Sequence, residues 1–188
     1  FVQAGIDWFG VEWIREEGVG AICPNPMGKR VLEDIEDWKD VIQFPDLDAW
    51  DWDEKIKRDQ EFLDNLDREN SCFCMMFVNG PFERLHMLMG FEEALVSLIT
   101  NPEDVQEFTH EWMTWKLKLM DYVKKYYNPD VLMFHDDWGA QNGMFFSPET
   151  WREIYKPEMQ RAVDHCHELG MIYEHHSCGN IEAIVPEM

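Results

Sequence analysis

The residues best suited to chemistry are gathered in one decapeptide, Met171-Ile172-Tyr173-Glu174-His175-His176-Ser177-Cys178-Gly179-Asn180. It reads as a short strand whose far end carries two imidazoles, a carboxylate and a thiol, closed by a glycine turn. Successive side chains on a strand alternate between faces, so Glu174, His176 and Cys178 share one side if the strand stays regular. Glutamate, histidine and cysteine are all donors that Zn²⁺ accepts. A buried strand end with a polar turn would carry the same letters, and two good donors one residue apart are a short motif. The elements that position them must decide.

Two other polar clusters follow apolar runs. Asp136-Asp137-Trp138-Gly139-Ala140-Gln141-Asn142-Gly143 follows the apolar stretch 130–135, and Asn79-Gly80-Pro81-Phe82 follows the run 72–78. Both runs suit strands covered on both faces. Between the runs lie helical patterns. Asn101-Pro102-Glu103-Asp104 opens one, with an Asn cap, Pro in the first turn and acids at the positive end of the dipole. Val105, Phe108, Trp112, Trp115, Leu119 and Val123 then recur at three- and four-residue steps, a core-facing stripe. A surface helix is expected within 53–70, another helix over 91–99, and a tight loop at 79–82. Ser147-Pro148-Glu149 opens a further helix that Pro157 should kink or break, and Gly170 closes it in the left-handed region. Residues 1–30 read as irregular, with 5–13 suiting either a strand or an extended loop and Gly18, Gly20, Pro24, Pro26 and Gly28 marking turns.

Strands separated by helices of this length imply parallel βαβ crossovers, and their C-terminal ends then lie on one face, where chemistry is built. Asp136 and Asp137 are therefore candidate catalytic groups. Alternation lets only one point into the site, and Asp136 is the one assigned there, on a face with Phe134 and Leu132. His135 and His175 are expected to face away. Asn79 and Gln141 are candidates for substrate contact, although Asn79 also suits a turn.

Composition narrows the function. The 16 basic and 38 acidic residues among 188 give a formal charge of −22, spread along the chain. Nucleic acid is a poor partner for such a surface, because phosphate binding needs a basic footprint. No apolar run approaches the ~18 residues of a membrane span. Nine Trp and twelve Phe argue for a packed core over disorder. Five cysteines at irregular spacing suggest free thiols in a reducing cytoplasm. Cys72-Phe73-Cys74 reads as buried cysteine, not a metal knuckle. The chain is expected to form a single domain over 1–188. Without an initial Met, and ending as a new helix begins, it reads as part of a larger one.

Taken in order, Asp7-Trp8-Phe9-Gly10-Val11-Glu12-Trp13, Gly80-Pro81-Phe82, Asn101-Pro102-Glu103, Asp136-Asp137-Trp138-Gly139, Ser147-Pro148-Glu149-Thr150-Trp151-Arg152, Lys156-Pro157 and His176-Ser177-Cys178-Gly179-Asn180 resemble the uroporphyrinogen decarboxylase superfamily. The resemblance is closest to its cobalamin-dependent methyltransferase branch. It implies an α/β (β/α)₈ TIM barrel, present here incompletely, with N- and C-terminal parts missing. It also implies a zinc-dependent enzyme moving methyl between a corrinoid (cobalamin) partner protein and a thiol or methoxylated small molecule. In that branch a His-x-Cys pair and a later Cys hold zinc. His176 and Cys178 match the pair, and the later Cys would lie beyond Met188. Glu174 as an added ligand comes from strand alternation alone. Decarboxylases proper carry an Arg-Gln-Ala-Gly-Arg loop for substrate carboxylates. Here Val2 and Ile6 flank Gln3-Ala4-Gly5 instead, which disfavours the tetrapyrrole decarboxylase alternative. A non-catalytic barrel is the third alternative.

Overall fold

The computed structural model describes residues 4–15, 18 and 22–188. Val2, Gln3 and Gly20, used in the reading above, lie outside these. The N-terminal part is an antiparallel sheet, β1 (Gly5–Ile6), β2 (Glu12–Arg15) and β3 (Ile22–Pro24), in that order. Asp7 ties it together. Its Oδ1 accepts from the backbone N–H groups of Phe9 (2.9 Å) and Val11 (3.0 Å), and its Oδ2 accepts from Trp13 Nε1 (3.0 Å). The stretch read as irregular is thus ordered by one carboxylate that satisfies a turn from inside.

A 3₁₀ turn at Ile35–Asp37 leads into α1 (Trp38–Val41), and α2 (Trp52–Asp64) lies on the surface with only Trp52 buried. Next comes β4 (Cys74–Phe77), followed by α3 (Pro81–Met89) where a loop was expected. Then come α4 (Phe91–Thr100) and the 26-residue α5 (Pro102–Tyr127), ended by Asn128 in the left-handed region (φ 47°). Phe108, Trp112 and Trp115 of α5 are buried, as their spacing predicts, and Phe9 packs edge-on against both tryptophans.

β5 (Val131–His135) leads to a small hairpin, β6 (Gly139–Ala140) with β7 (Gly143–Met144), which the sequence reading did not foresee. The next helix starts as α6 (Pro148–Thr150), capped by the Ser147 side chain. It passes through a π turn at Trp151–Tyr155 and continues as α7 (Lys156–Glu168). Pro157 sits in the first turn of α7, so the missing N–H is absorbed where the helix has already widened. Gly170, at φ 71°, precedes β8 (Ile172–His176).

β4, β5 and β8 form one parallel sheet in that order. Three strands do not close a barrel; among the described residues the expected TIM-barrel architecture is seen only as a parallel α/β sheet. The register fixes the faces. Met75–Leu132–Tyr173 and Phe77–Phe134–His175 run side by side on the helix-covered face. Cys74–Val131–Ile172, Met76–Met133–Glu174 and His135–His176 line the other face, where Met76 is 53% and Ile172 61% exposed. The run 72–78 is therefore covered on one side only, and Cys72 and Cys74 are exposed, not buried.

Candidate metal and active site

The three polar clusters do meet at the C-terminal ends of β4, β5 and β8. Two glycines let the loops after β5 and β8 touch. A Cβ on Gly179 (φ 79°) would overlap the carbonyl of Gly139, and one on Gly139 would come within 2.9 Å of the Asn180 oxygen. Three hydrogen bonds join these loops. Asn180 N donates to Ala140 O (2.8 Å), Trp138 N to Ser177 Oγ (2.9 Å), and Cys178 N to Asp137 Oδ1 (2.6 Å).

This stitching decides which aspartate faces the site, and it reverses the expected phase. Asp136 does share a face with Phe134 and Leu132, but that is the helix-covered face, and Asp136 is fully buried. Its Oδ1 accepts from Glu83 N (2.8 Å), while Oδ2 accepts from Phe82 N (3.3 Å) and Trp138 Nε1 (2.7 Å). It caps α3 from another strand, satisfying first-turn donors that Gly80 cannot. Burial, followed by the charge of Glu83, raises its carboxyl well above the usual range, against the pull of these donors.

Asp137 and His135 occupy the open side. His135 was expected to face away, yet its ring stacks on His176 at 4.4 Å between centroids, 17° from parallel. Asp137 Oδ1 lies 3.7 Å from His176 Nε2 and 4.0 Å from His135 Nε2. The donor atoms of His135, Asp137 and His176 all fall within 4.8 Å of one another. Cys178 Sγ lies 3.4 Å from His176 Nε2. Two donors on one tetrahedral zinc, at bond lengths of about 2.0–2.3 Å, sit about 3.3–3.8 Å apart. The His176–Cys178 and His176–Asp137 separations match that spacing. Glu174 is exposed and does not join the cluster. It sits two residues back along the strand, roughly 6.6 Å away by strand rise.

Behind the cluster stands Glu83, in the first turn of α3. Its Oε1 is 2.9 Å from His135 Nδ1. Glu83 Oε2 and His135 Nδ1 are both buried without a hydrogen-bond partner. Burial first, and the charge of Asp137 second, raise the Glu83 carboxyl. Such orphaned polar atoms beside a set of N, O and S donors fit a site built around a cation. Glu83 went unnoticed because residues 83–90, between the loop expected at 79–82 and the helix expected over 91–99, showed no element in the sequence. His135 was visible as a histidine at a strand end, but on the wrong face.

The remaining candidates lie at the edge of the site. Asn79 is buried and left-handed (φ 61°) at the turn out of β4, and Gly80 N donates to His135 O (2.7 Å). Gln141 is exposed at the tip of the β6–β7 hairpin. His175 faces the helices as expected, stacked on Trp138 at 4.2 Å, with Nδ1 3.1 Å from Tyr173 Oη.

A parallel sheet with helices on one face and metal-type donors at its C-terminal strand ends defines an α/β protein whose polar residues gather where such folds place their sites. More particularly, the chain belongs to the uroporphyrinogen decarboxylase (URO-D) family, whose model matches residues 9–188. That family implies a TIM-barrel-like α/β fold, and its members are generally enzymes, decarboxylases or methyltransferases. No curated protein matches the chain. Among the described residues, no helix is long and apolar enough to cross a membrane.

Proposed function

We propose that this chain is a zinc-dependent methyltransferase, moving a methyl group between a corrinoid carried by a partner protein and a thiol or methoxylated small molecule. The observation that carries the reading is the convergence of Cys178 Sγ (3.4 Å) and Asp137 Oδ1 (3.7 Å) on His176 Nε2. His176, Cys178 and Asp137 would hold the ion and leave a further position for substrate, as catalytic sites do. Bound there, zinc supplies Lewis acidity, which activates a substrate thiol or a methoxyl oxygen.

The protein's own part is placement. Asp137 fixes the Cys178 backbone through its N–H. Ser177 accepts from Trp138 N, which holds the two loops in register. Met76 and Met133 lie on the same strand face below the site and give it an apolar floor. The charge of −22 counts against a polyanionic tetrapyrrole.

Metal analysis of the purified protein tests the reading. One zinc per chain is expected, lost in Cys178→Ala. A well-folded preparation that takes up no zinc would overturn it.

A further inference from the structure

The orientation of the His176 ring is an unusual feature of this site. Metal-binding imidazoles ordinarily donate their second nitrogen to a carboxylate, a carbonyl or water, and a protein partner there fixes tautomer and ring plane. Among the described residues, the polar partners of the His176 ring are Cys178 Sγ and Asp137 Oδ1, and both sit at Nε2. What holds the ring plane is the stack on His135, 4.4 Å away and 17° from parallel. His135 in turn has Glu83 Oε1 at 2.9 Å from its Nδ1. Glu83 is buried, and its backbone N–H is bonded to Asp136, which anchors the start of α3 beside His135.

We infer that Glu83 and His135 are positioning residues for the metal site: Glu83 holds the His135 ring by its contact at Nδ1, and that ring holds His176 by stacking. The near-parallel rings favour this role for His135 over direct ligation. Lone pairs in the planes of two stacked rings run side by side and do not converge on one ion. Glu83 therefore acts on His135, His135 on His176, and His176 on the metal. The inference rests on the zinc reading above.

The test is zinc affinity, measured by competition with a chromophoric chelator on the whole chain and on His135→Ala, His135→Phe and Glu83→Gln. Loss of an outer support costs about 10–100-fold in metal affinity. His135→Ala is expected to fall in that range and Glu83→Gln toward its lower end, about tenfold. His135→Phe keeps a flat ring to stack on His176 but loses the nitrogen that Glu83 holds, so it should fall only as far as Glu83→Gln, about tenfold. If the Phe variant binds as weakly as the Ala variant, a flat ring at 135 contributes nothing and the stacking role is wrong. If His135→Ala binds as tightly as wild type, the pair does not position His176. Should His135→Ala fail to fold, the Phe and Gln variants decide the matter alone. Wild-type protein that binds no zinc would instead remove the functional reading itself.

Discussion

Replacing Asp136 by Ala separates a structural aspartate from a catalytic one. Its carboxylate is the acceptor for three buried donors: Glu83 N at 2.8 Å, Phe82 N at 3.3 Å and Trp138 Nε1 at 2.7 Å. Each buried donor left without a partner costs about 1–3 kcal/mol. Taking the low end for all three gives about 3 kcal/mol, because release of a desolvated carboxylate offsets part of the loss. That is a large fraction of the ~5–15 kcal/mol that holds a domain folded. Asp137→Ala is the control. It removes one acceptor at a half-exposed position, and its cost should stay near 1 kcal/mol. Urea unfolding of both variants, paired with zinc titration, gives the comparison. The expected pattern is crossed: Asp136→Ala is unstable but binds zinc while folded, whereas Asp137→Ala is stable and binds zinc weakly. If Asp136→Ala unfolds like wild type yet loses zinc, the assignment of the two aspartates is wrong.

Three further outcomes follow from particular contacts. His175→Ala loses its stack on Trp138 and its contact with Tyr173 Oη; it should cost about 1–3 kcal/mol in chemical denaturation and leave zinc affinity unchanged, unlike the same change at its neighbour His176. Gly179→Ala forces a Cβ onto the Gly139 carbonyl at a left-handed position, so it should lower both the melting temperature and zinc affinity by parting the two loops. Lys116 is fully buried, with Nζ on Val78 O (2.7 Å), and burial lowers its pKa to about 7. The unfolded chain therefore holds more protons between about pH 7 and 10.4, and wild-type stability should rise with pH across that window. Lys116→Met removes the rise. Measured against wild type, it should gain on the order of 4 kcal/mol below pH 7 and lose that advantage near pH 10. A flat difference across this range would exclude a neutral buried Lys116.

Much of the frame was legible locally. The start of α5, its aromatic stripe, the Ser147 cap and the left-handed Gly170 depend on neighbours within a few residues, and the structure has them where the spacing predicts, except that the Asn101 side chain turns to Glu36 and Thr100 and makes no capping bond. α3 escaped notice because its cap arrives from Asp136, across the sheet, and leaves no mark near Pro81. Pro157 did not break its helix, since a π turn ahead of it absorbed the missing donor. The β6–β7 hairpin is only two residues a side, too short for a period to show.

The candidate site divides the same way. Residue types, their order and their strand-end positions belong to the sequence: two aspartates, then His176-Ser177-Cys178-Gly179, each closing an apolar run. The alternation rule also put His176 and Glu174 on one face, which the register bears out. Only the tertiary structure decided the phase of β5. A period of two has two solutions, and both place an acid and a histidine on opposite sides. The choice fell to the helices that cover Leu132, Phe134 and Asp136, and to α3, whose bare N–H groups drew Asp136 inward and left His135 and Asp137 beside His176.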